Sequence, residues 1–446
     1  MSSVVKTFLI LIVGFLIRYL LITCSYQRTI SDRVEISTPV NSWKRVVEGV
    51  TLLDLGISPY EGDTFHEVPI FLIFYHRLYT NLKPWLPVIF AAIDVLTGLI
   101  LSITSTIQLQ HIREWETNKL TKLKLEDSRK LAIPLNSISE LSYRVLLIYL
   151  FLPYSSLSCA AMTTSVFTNF ITALIMLSAS LGQRIIATSL TALLAYHSLY
   201  AIAFILPVVM VAERVNHKVN SLEEFSYTTS KVIFSMTWTI LSFLALIVGL
   251  LQLSYLLMDS SSFISSTYWF LLTVPDFTPN IGLFWYFFTE MFDQFRDFFL
   301  WTFQINSFIY FLPLSLILKD NPCFLFIITS ILQSLFKPYP SISDAAFFIA
   351  LIPQWSHLFP FLRQGIFVSA VFVSCSVLAP IMWHMWIILG TANSNYFFGV
   401  TLAYNAGQIF LVSDILFAYM KRNYFLENGM KLDEKGKPIG LELVSD

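Results

Sequence analysis

The sequence predicts an all-α, polytopic membrane protein, and three observations lead there. Hydrophobic residues fill 56% of the 446 positions, whereas Asp, Glu, Lys and Arg fill only 13%, about half the charged share of a soluble domain. Apolar runs of about 20 residues, long enough to cross a bilayer, recur from one end of the chain to the other. The breaks between them are short, so residues 1–446 read as one multispanning domain with no room for a large soluble one.

The first apolar run, Val4 to Thr23, contains Arg18 and is followed by no small-residue cleavage pattern. It reads as a retained anchor. Residues 24–69 then form the longest polar stretch. Within it, Trp43, Val46, Val47, Val50, Leu53 and Leu55 fall mostly on one helical face, with Lys44, Arg45 and Glu48 elsewhere. That pattern predicts an amphipathic helix lying on the membrane surface.

A half-length apolar piece at 70–79 precedes a full span over 86–108. Residues 110–141 carry Arg113, Lys119, Lys122, Lys124, Arg129 and Lys130, the densest basic cluster, which the positive-inside rule places in the cytosol. Counting back puts 24–69 in the lumen and the N-terminus in the cytosol. Further spans fit near 143–160, 161–181, 185–210, 232–256, 263–274, 281–292, 298–318, 322–337, 342–362, 366–388 and 396–420. Several are short, giving about 10 to 13 transmembrane or re-entrant helices. Lys421 and Arg422 open a charged tail, 421–446, again cytosolic.

Composition also excludes functions. A formal net charge of −1 offers no concentrated basic surface for nucleic acid. Cys24, Cys159, Cys323 and Cys375 are scattered, with no CxxC and no His at metal spacing, so no disulfide framework, metal or cofactor is expected. No Walker A loop, HExxH or GxSxG occurs, and no cysteine has a visible base partner. A peptide-cleaving enzyme therefore has little support.

Polar groups in hydrocarbon are costly, so the places where they interrupt the spans are candidate sites. In 274–307, two prolines and Asn280, a candidate cap, mark a turn into a helix. On it Glu290, Asp293, Arg296, Asp297, Gln304 and Ser307 share about a third of the circumference. This stripe either lines a polar groove or places 290–297 at an interface facing water. In both cases Arg296 lies within reach of a lipid phosphate.

Further on, Trp383-His-Met-Trp386 leads into Gly390-Thr-Ala-Asn-Ser-Asn395. Its amides and hydroxyls can bond phosphate or sugar oxygens, or the segment is a turn beside an aromatic belt. Asn405 and Gln408 carry polarity into the last span and favour a lined cavity. The carboxylates of 24–69, among them Asp32, Glu35, Asp54 and Glu67, either supply a general base or simply solvate a loop. Isolated Arg18, Arg144 and His197 are expected to pair with backbone or neighbouring helices.

Several strings carry a resemblance. Ser42-Trp-Lys-Arg-Val-Val-Glu-Gly-Val-Thr-Leu-Leu-Asp-Leu-Gly-Ile-Ser-Pro-Tyr60, Phe65-His-Glu67, Pro275-Asp276 with Thr278-Pro-Asn-Ile-Gly-Leu-Phe-Trp-Tyr-Phe-Phe288, Phe303-Gln-Ile-Asn306 and Thr391-Ala-Asn-Ser-Asn-Tyr396 resemble the U-subunit family of glycosylphosphatidylinositol (GPI) transamidase. The likeness runs from the first loop to the last span and is weakest over 111–130 and 211–230.

The resemblance implies a non-catalytic subunit in the endoplasmic reticulum membrane. It would bind or present the GPI lipid for attachment to the C-terminus of precursor proteins. Its partners would be membrane lipids and the other transamidase subunits: PIG-K, which carries the catalytic Cys and His, PIG-T, PIG-S and the attachment-protein subunit. It also implies GPI-lipid contacts at Thr391, Asn393 and Asn395, then Arg296 and Asp320. The family in turn resembles GPI mannosyltransferases around Val47-Glu-Gly49 and Ser58-Pro-Tyr60, which implies a C-type glycosyltransferase-like scaffold. A mannosyltransferase using a dolichol-phosphate sugar is therefore the alternative, although Asp32 and Glu35 do not make the tight acidic pair it would need. A transporter ranks last, because no internal repeat or matched pair of broken helices is visible.

Overall fold

In the computed structural model, which describes residues 3–123, 131–220 and 226–428, every long element is a helix and no strand occurs among the described residues. In chain order the longer helices are α1 (Ser3–Thr23), α2 (Trp43–Asp54), α3 (Pro69–Leu82), α4 (Leu86–Leu123), α5 (Leu135–Phe151), α6 (Pro153–Ala160), α7 (Ser165–Ser180), α8 (Arg184–His197), α9 (Ile205–Asn220) and α10 (Ser230–Met258). They continue with α11 (Phe284–Glu290), α12 (Asp293–Ile309), α13 (Pro322–Phe336), α14 (Ile342–Leu351), α15 (Gly365–Trp383) and α16 (Ser394–Asn428).

Among the described residues, seven helical segments are long and apolar enough to cross a membrane, and the bent pair α5–α6 makes an eighth. Two further apolar helices, α7 and α13, are shorter than a full span. Their outer faces are apolar: Phe234, Trp238, Leu256, Ile366 and Val373 are all more than half exposed, as lipid-facing positions of a bundle are. Apolar helices with such a surface make this a multi-pass membrane protein.

The 44° bend between α5 and α6 has a local cause. Pro153 has no N–H and pushes Leu152 into extended backbone, with ψ of 126°, so nearby carbonyls lose their helical donors. Arg18 supplies replacements: it donates to the carbonyls of Leu150 at 2.9 Å and Tyr149 at 3.4 Å and pairs with Asp94. Its side chain is fully buried. The charge expected to find a neighbour therefore ties three helices together at a proline break. Arg144 pairs with Glu140 one turn away.

The two ends of the bundle differ. At one, Arg422 of α16 grips Glu116 of α4 with two bonds of 2.6 and 3.0 Å, and Lys119 meets Glu427 at 2.6 Å. The start of 110–141 thus continues α4 as helix to Leu123 instead of forming a loop. It lies beside the end of the last helix. Lys124, Arg129, Lys130 and the tail beyond 428 lie outside the described residues.

At the other end sits 24–69. Its amphipathic helix exists as α2, but its apolar face meets protein rather than lipid. Val46 and Val50 are buried, and Trp43 sets its ring edge-on to Tyr75 and Phe90 at 5.6 and 5.1 Å. Periodicity marks an apolar face and is silent on what covers it.

Candidate lipid site

The site is built where α15 ends and α16 begins. After His384 the helix loosens, Gly390 turns the chain at φ +65°, and the backbone N–H groups of Thr391 and Ala392 donate back to the Met385 carbonyl at 3.0 and 3.3 Å. Glycine occupies this backbone region without the steric cost a Cβ would add. Asn393 Oδ1 then accepts from the Asn395 N–H at 3.1 Å, which fixes the entry into α16. Thr391, Asn393 and Asn395 are all exposed, and no hydrogen bond uses either Nδ2 group among the described residues.

The neighbouring wall comes from α11. Tyr286 donates its hydroxyl to Asn395 Oδ1 and stacks on Phe398 at 4.3 Å, while Trp285 stacks on Trp386 at 6.2 Å. Beside this junction an open, almost wholly apolar groove of about 370 Å³ is lined by Tyr286, Phe287, Glu290, Phe295, Phe299 and Phe398. Short polar groups thus stand at the edge of a greasy trough, the layout that suits an amphiphile.

The loop 274–283 is held rigidly against 24–69. Asp276 accepts from the Thr278 N–H at 2.8 Å and from Arg45 at 3.2 Å, and the Tyr339 hydroxyl donates to its carbonyl at 2.9 Å. Burial alone raises the Asp276 carboxyl, but the Thr278 bonds and the Arg45 guanidinium outweigh it and hold the group below its usual range. Asn280 is fully buried and caps no helix, since α11 starts later. Its Oδ1 takes the Gly282 N–H at 2.7 Å and its Nδ2 reaches the Pro338 carbonyl at 3.4 Å. This is an Asx turn, a local alternative to capping open to the same residue type.

The polar stripe is interrupted. Backbone between Glu290 and Asp293 is extended, so α11 and α12 are separate helices. Along α12 the same face passes from exposed Asp293 and Asp297 to buried Gln304 and Ser307, and the buried pair is closed on backbone: Gln304 donates to the Leu271 carbonyl at 2.8 Å and Ser307 to the Phe336 carbonyl at 3.1 Å. Arg296 is half-buried with its guanidinium 4.6 Å above the Phe277 ring, next in sequence to the groove residue Phe295.

Asp320 is not brought to this place. It lies 3.9 Å from Lys119, which also pairs with Glu427. It therefore stands near the far end of α16 from Asn395, a helix of 35 residues and roughly 50 Å. Asn405 is turned inward and donates to the Ile281 carbonyl at 2.7 Å, tying α16 to the loop before α11. Asp32 is paired with Lys44 and Glu35 with Arg33 at 2.9 Å, so neither carboxylate waits free for an acceptor hydroxyl.

Comparison with known proteins now bears on this geometry. A family model described as GPI transamidase subunit PIG-U matches residues 12–404. The chain belongs to the PIG-U family. It is similar to the GPI-anchor transamidase component PIGU of Homo sapiens, 37% identical over 96% of both chains. The Cricetulus griseus protein of that name is 38% identical over 96% of both. The GPI transamidase component GAB1 of Saccharomyces cerevisiae is 31% identical over 91% of both. For a PIG-U member, what sequence reasoning missed is the partner side of the site. No sequence signal marked Tyr286, Phe287 or Phe398, and only the fold brings Tyr286 to Asn395.

Proposed function

We propose that this chain is the non-catalytic component of GPI transamidase that holds the GPI lipid in the endoplasmic reticulum membrane. Acyl chains lie in the trough between α11, α12 and α16, while Thr391, Asn393 and Asn395 bond the headgroup. Arg296 sits at the trough's flank for a phosphate, reached by swinging off Phe277. Asp320, at the opposite end of α16, takes no part in this contact. PIG-K, PIG-T, PIG-S and the attachment-protein subunit supply the chemistry and the peptide, with PIG-K carrying the catalytic Cys and His, and the N- and C-termini face the cytosol.

The observation that carries this reading is the direct bond from groove residue Tyr286 to Asn395, which joins the apolar trough and the amide cluster into one amphiphilic surface. Its test is Asn393→Leu with Asn395→Leu in cells lacking the endogenous subunit. GPI attachment to a reporter falls at least tenfold while the complex still assembles, as two lost hydrogen bonds at about 1 kcal/mol each imply. Normal attachment by an intact complex overturns the site.

The mannosyltransferase alternative is not favoured, given the paired Asp32 and Glu35 and the family match.

A further inference from the structure

Beneath 24–69 lies a cavity of about 150 Å³ that shares no lining residue with the trough. A water needs roughly 10–15 Å³ of such space, so the cavity holds on the order of ten waters or one small ring. It opens among Asn41, His66, Glu67, α7, α8, α13 and the 337–339 turn. An aromatic wall divides it from the trough: Leu271 and Tyr339 line the cavity, Phe287 and Phe299 line the trough, and all four belong to one apolar cluster.

Its polar atoms are unevenly committed. Five buried atoms on its lining residues have no hydrogen-bond partner: His66 Nε2, Glu67 Oε1, His197 Nδ1, Gln333 Oε1 and Ser334 Oγ. Buried polar atoms left this way are rare and costly, and here they gather on one cavity. Most can only accept. Glu67 Oε2 already takes His197 Nε2–H at 2.8 Å, and Gln333 donates its Nε2 to the Ser307 carbonyl at 2.9 Å. His66 donates Nδ1–H to the Ser266 carbonyl at 2.7 Å, so its neutral ring offers a lone pair at Nε2. Thr168 and Thr172 give their protons to carbonyls of their own helix.

Cations are spent. Lys337, which lines the cavity, pairs with Asp344 at 2.5 Å. A phosphate brings only acceptors and negative charge, so it meets like groups here. A polyol brings many O–H donors and an apolar ring face. Tyr200 and Tyr339 give it rings whose hydroxyls are already committed to Gln304 and to the Asp276 carbonyl.

We propose that this cavity binds a neutral sugar ring through the unpaired acceptors of Glu67, His66 and Gln333. The site is separate from the lipid trough. Its occupant is either a sugar of the glycolipid's own glycan or a free saccharide, since both present the same hydroxyls.

The test uses the whole purified complex in lipid nanodiscs. Saturable binding of methyl α-mannoside and methyl α-glucoside is followed by saturation-transfer NMR, with inorganic phosphate as competitor. The variants are Ser334→Ala, which removes one unpaired hydroxyl, and Thr172→Leu, which fills space. A parallel arm measures capture of intact GPI lipid. Saccharide binding that weakens about tenfold in Ser334→Ala or Thr172→Leu, and that phosphate leaves unchanged, supports a free-sugar site. No monosaccharide binding, but GPI capture weakened by the same variants in an assembled complex, supports the lipid's glycan as occupant. Two results overturn the proposal: competition by phosphate, or indifference of both ligands to both variants. Asn393→Leu with Asn395→Leu runs alongside. Its failure to lower GPI capture sinks the trough and leaves the cavity result standing.

Discussion

Gly49 offers a decisive test because two effects on it have opposite signs. It lies inside α2, where replacing glycine by alanine normally stabilises a helix by about 1 kcal/mol. Yet an added Cβ would press on the Phe65 ring, 2.5 Å from Cε2 and 2.9 Å from Cγ, far inside contact distance. The Phe65 ring is 1% exposed and lies 5.5 Å from Tyr60, so it has nowhere cheap to go. Overpacking of this kind costs about 1–3 kcal/mol; contacts this short put Gly49→Ala in the upper half of that range, so after the propensity gain of about 1 kcal/mol it is left about 1–2 kcal/mol less stable. Gly249 in α10 is the control: a methyl group there would find nothing within 4 Å, so Gly249→Ala gains what Gly49→Ala loses. Thermal melting of the purified complex reads both. Adding Phe65→Leu to Gly49→Ala restores part of the loss, so the double change costs less than the sum of the singles. A melting point raised by Gly49→Ala to the same extent as by Gly249→Ala refutes the argument. Because His66 and Glu67 follow Phe65 directly, the same change also weakens sugar binding in the cavity.

Asp94→Leu leaves Arg18 buried and unpaired and costs about 3–5 kcal/mol, whereas Arg18→Leu with Asp94→Leu costs less than either single change; additive losses on a double-mutant melting cycle argue against the pair. His66 gives a pH signature. Burial, with Arg45 adding to it, lowers its pKa from 6.5 to about 4, against weaker raising effects from the Ser266 and Asp63 backbone and Asp276. Between those values the unfolded chain binds the extra proton, so stability is whole above pH 6.5 and declines towards pH 4, by roughly 2–3 kcal/mol after allowance for partial exposure. His66→Phe keeps the 3.5 Å stacking on Phe270 and flattens that part of the profile; an unchanged melting slope over pH 4–6.5 rejects the assignment.

What the sequence made legible is whatever depends on one segment at a time. The spans follow from run length, α2 from its period, and the pairing of Arg18 from the cost of a lone charge in hydrocarbon. Partners are another matter. No local pattern says that Arg18 meets Asp94, that α2 is covered by Tyr75 and Phe90, or that Tyr286 reaches Asn395. The same limit separates Asp320 from Asn395: both interrupt apolar stretches, and only the course of α16 shows that they serve opposite ends of the bundle. Asn280 failed as a cap because the residue type fits an Asx turn equally well, and the choice is made by Gly282 and Pro338.

The polar atoms inside this bundle fall into groups that differ in whether their bonds are closed. Arg18–Asp94 and Arg422–Glu116 are closed: each charge has its partner, and the pair holds helices in place. Asp276 is closed too, on Arg45 and the Thr278 N–H, and Asn280 on backbone, and they shape the loop before α11. The amides of Asn393 and Asn395 are open towards the outside, and the acceptors of His66, Glu67 and Gln333 are open towards the inside. A membrane protein gains nothing in stability from open polar groups, since each costs about 1–3 kcal/mol when buried without a partner. Others stay open elsewhere, among them Tyr75, Trp355 and Gln408; what sets the cavity apart is that five such atoms share one hollow. At the trough the proposed occupant carries acyl chains, which suit its aromatic, apolar lining. In the cavity it must carry hydroxyl donors, because most free positions there are acceptors and the lysine that lines it is already paired.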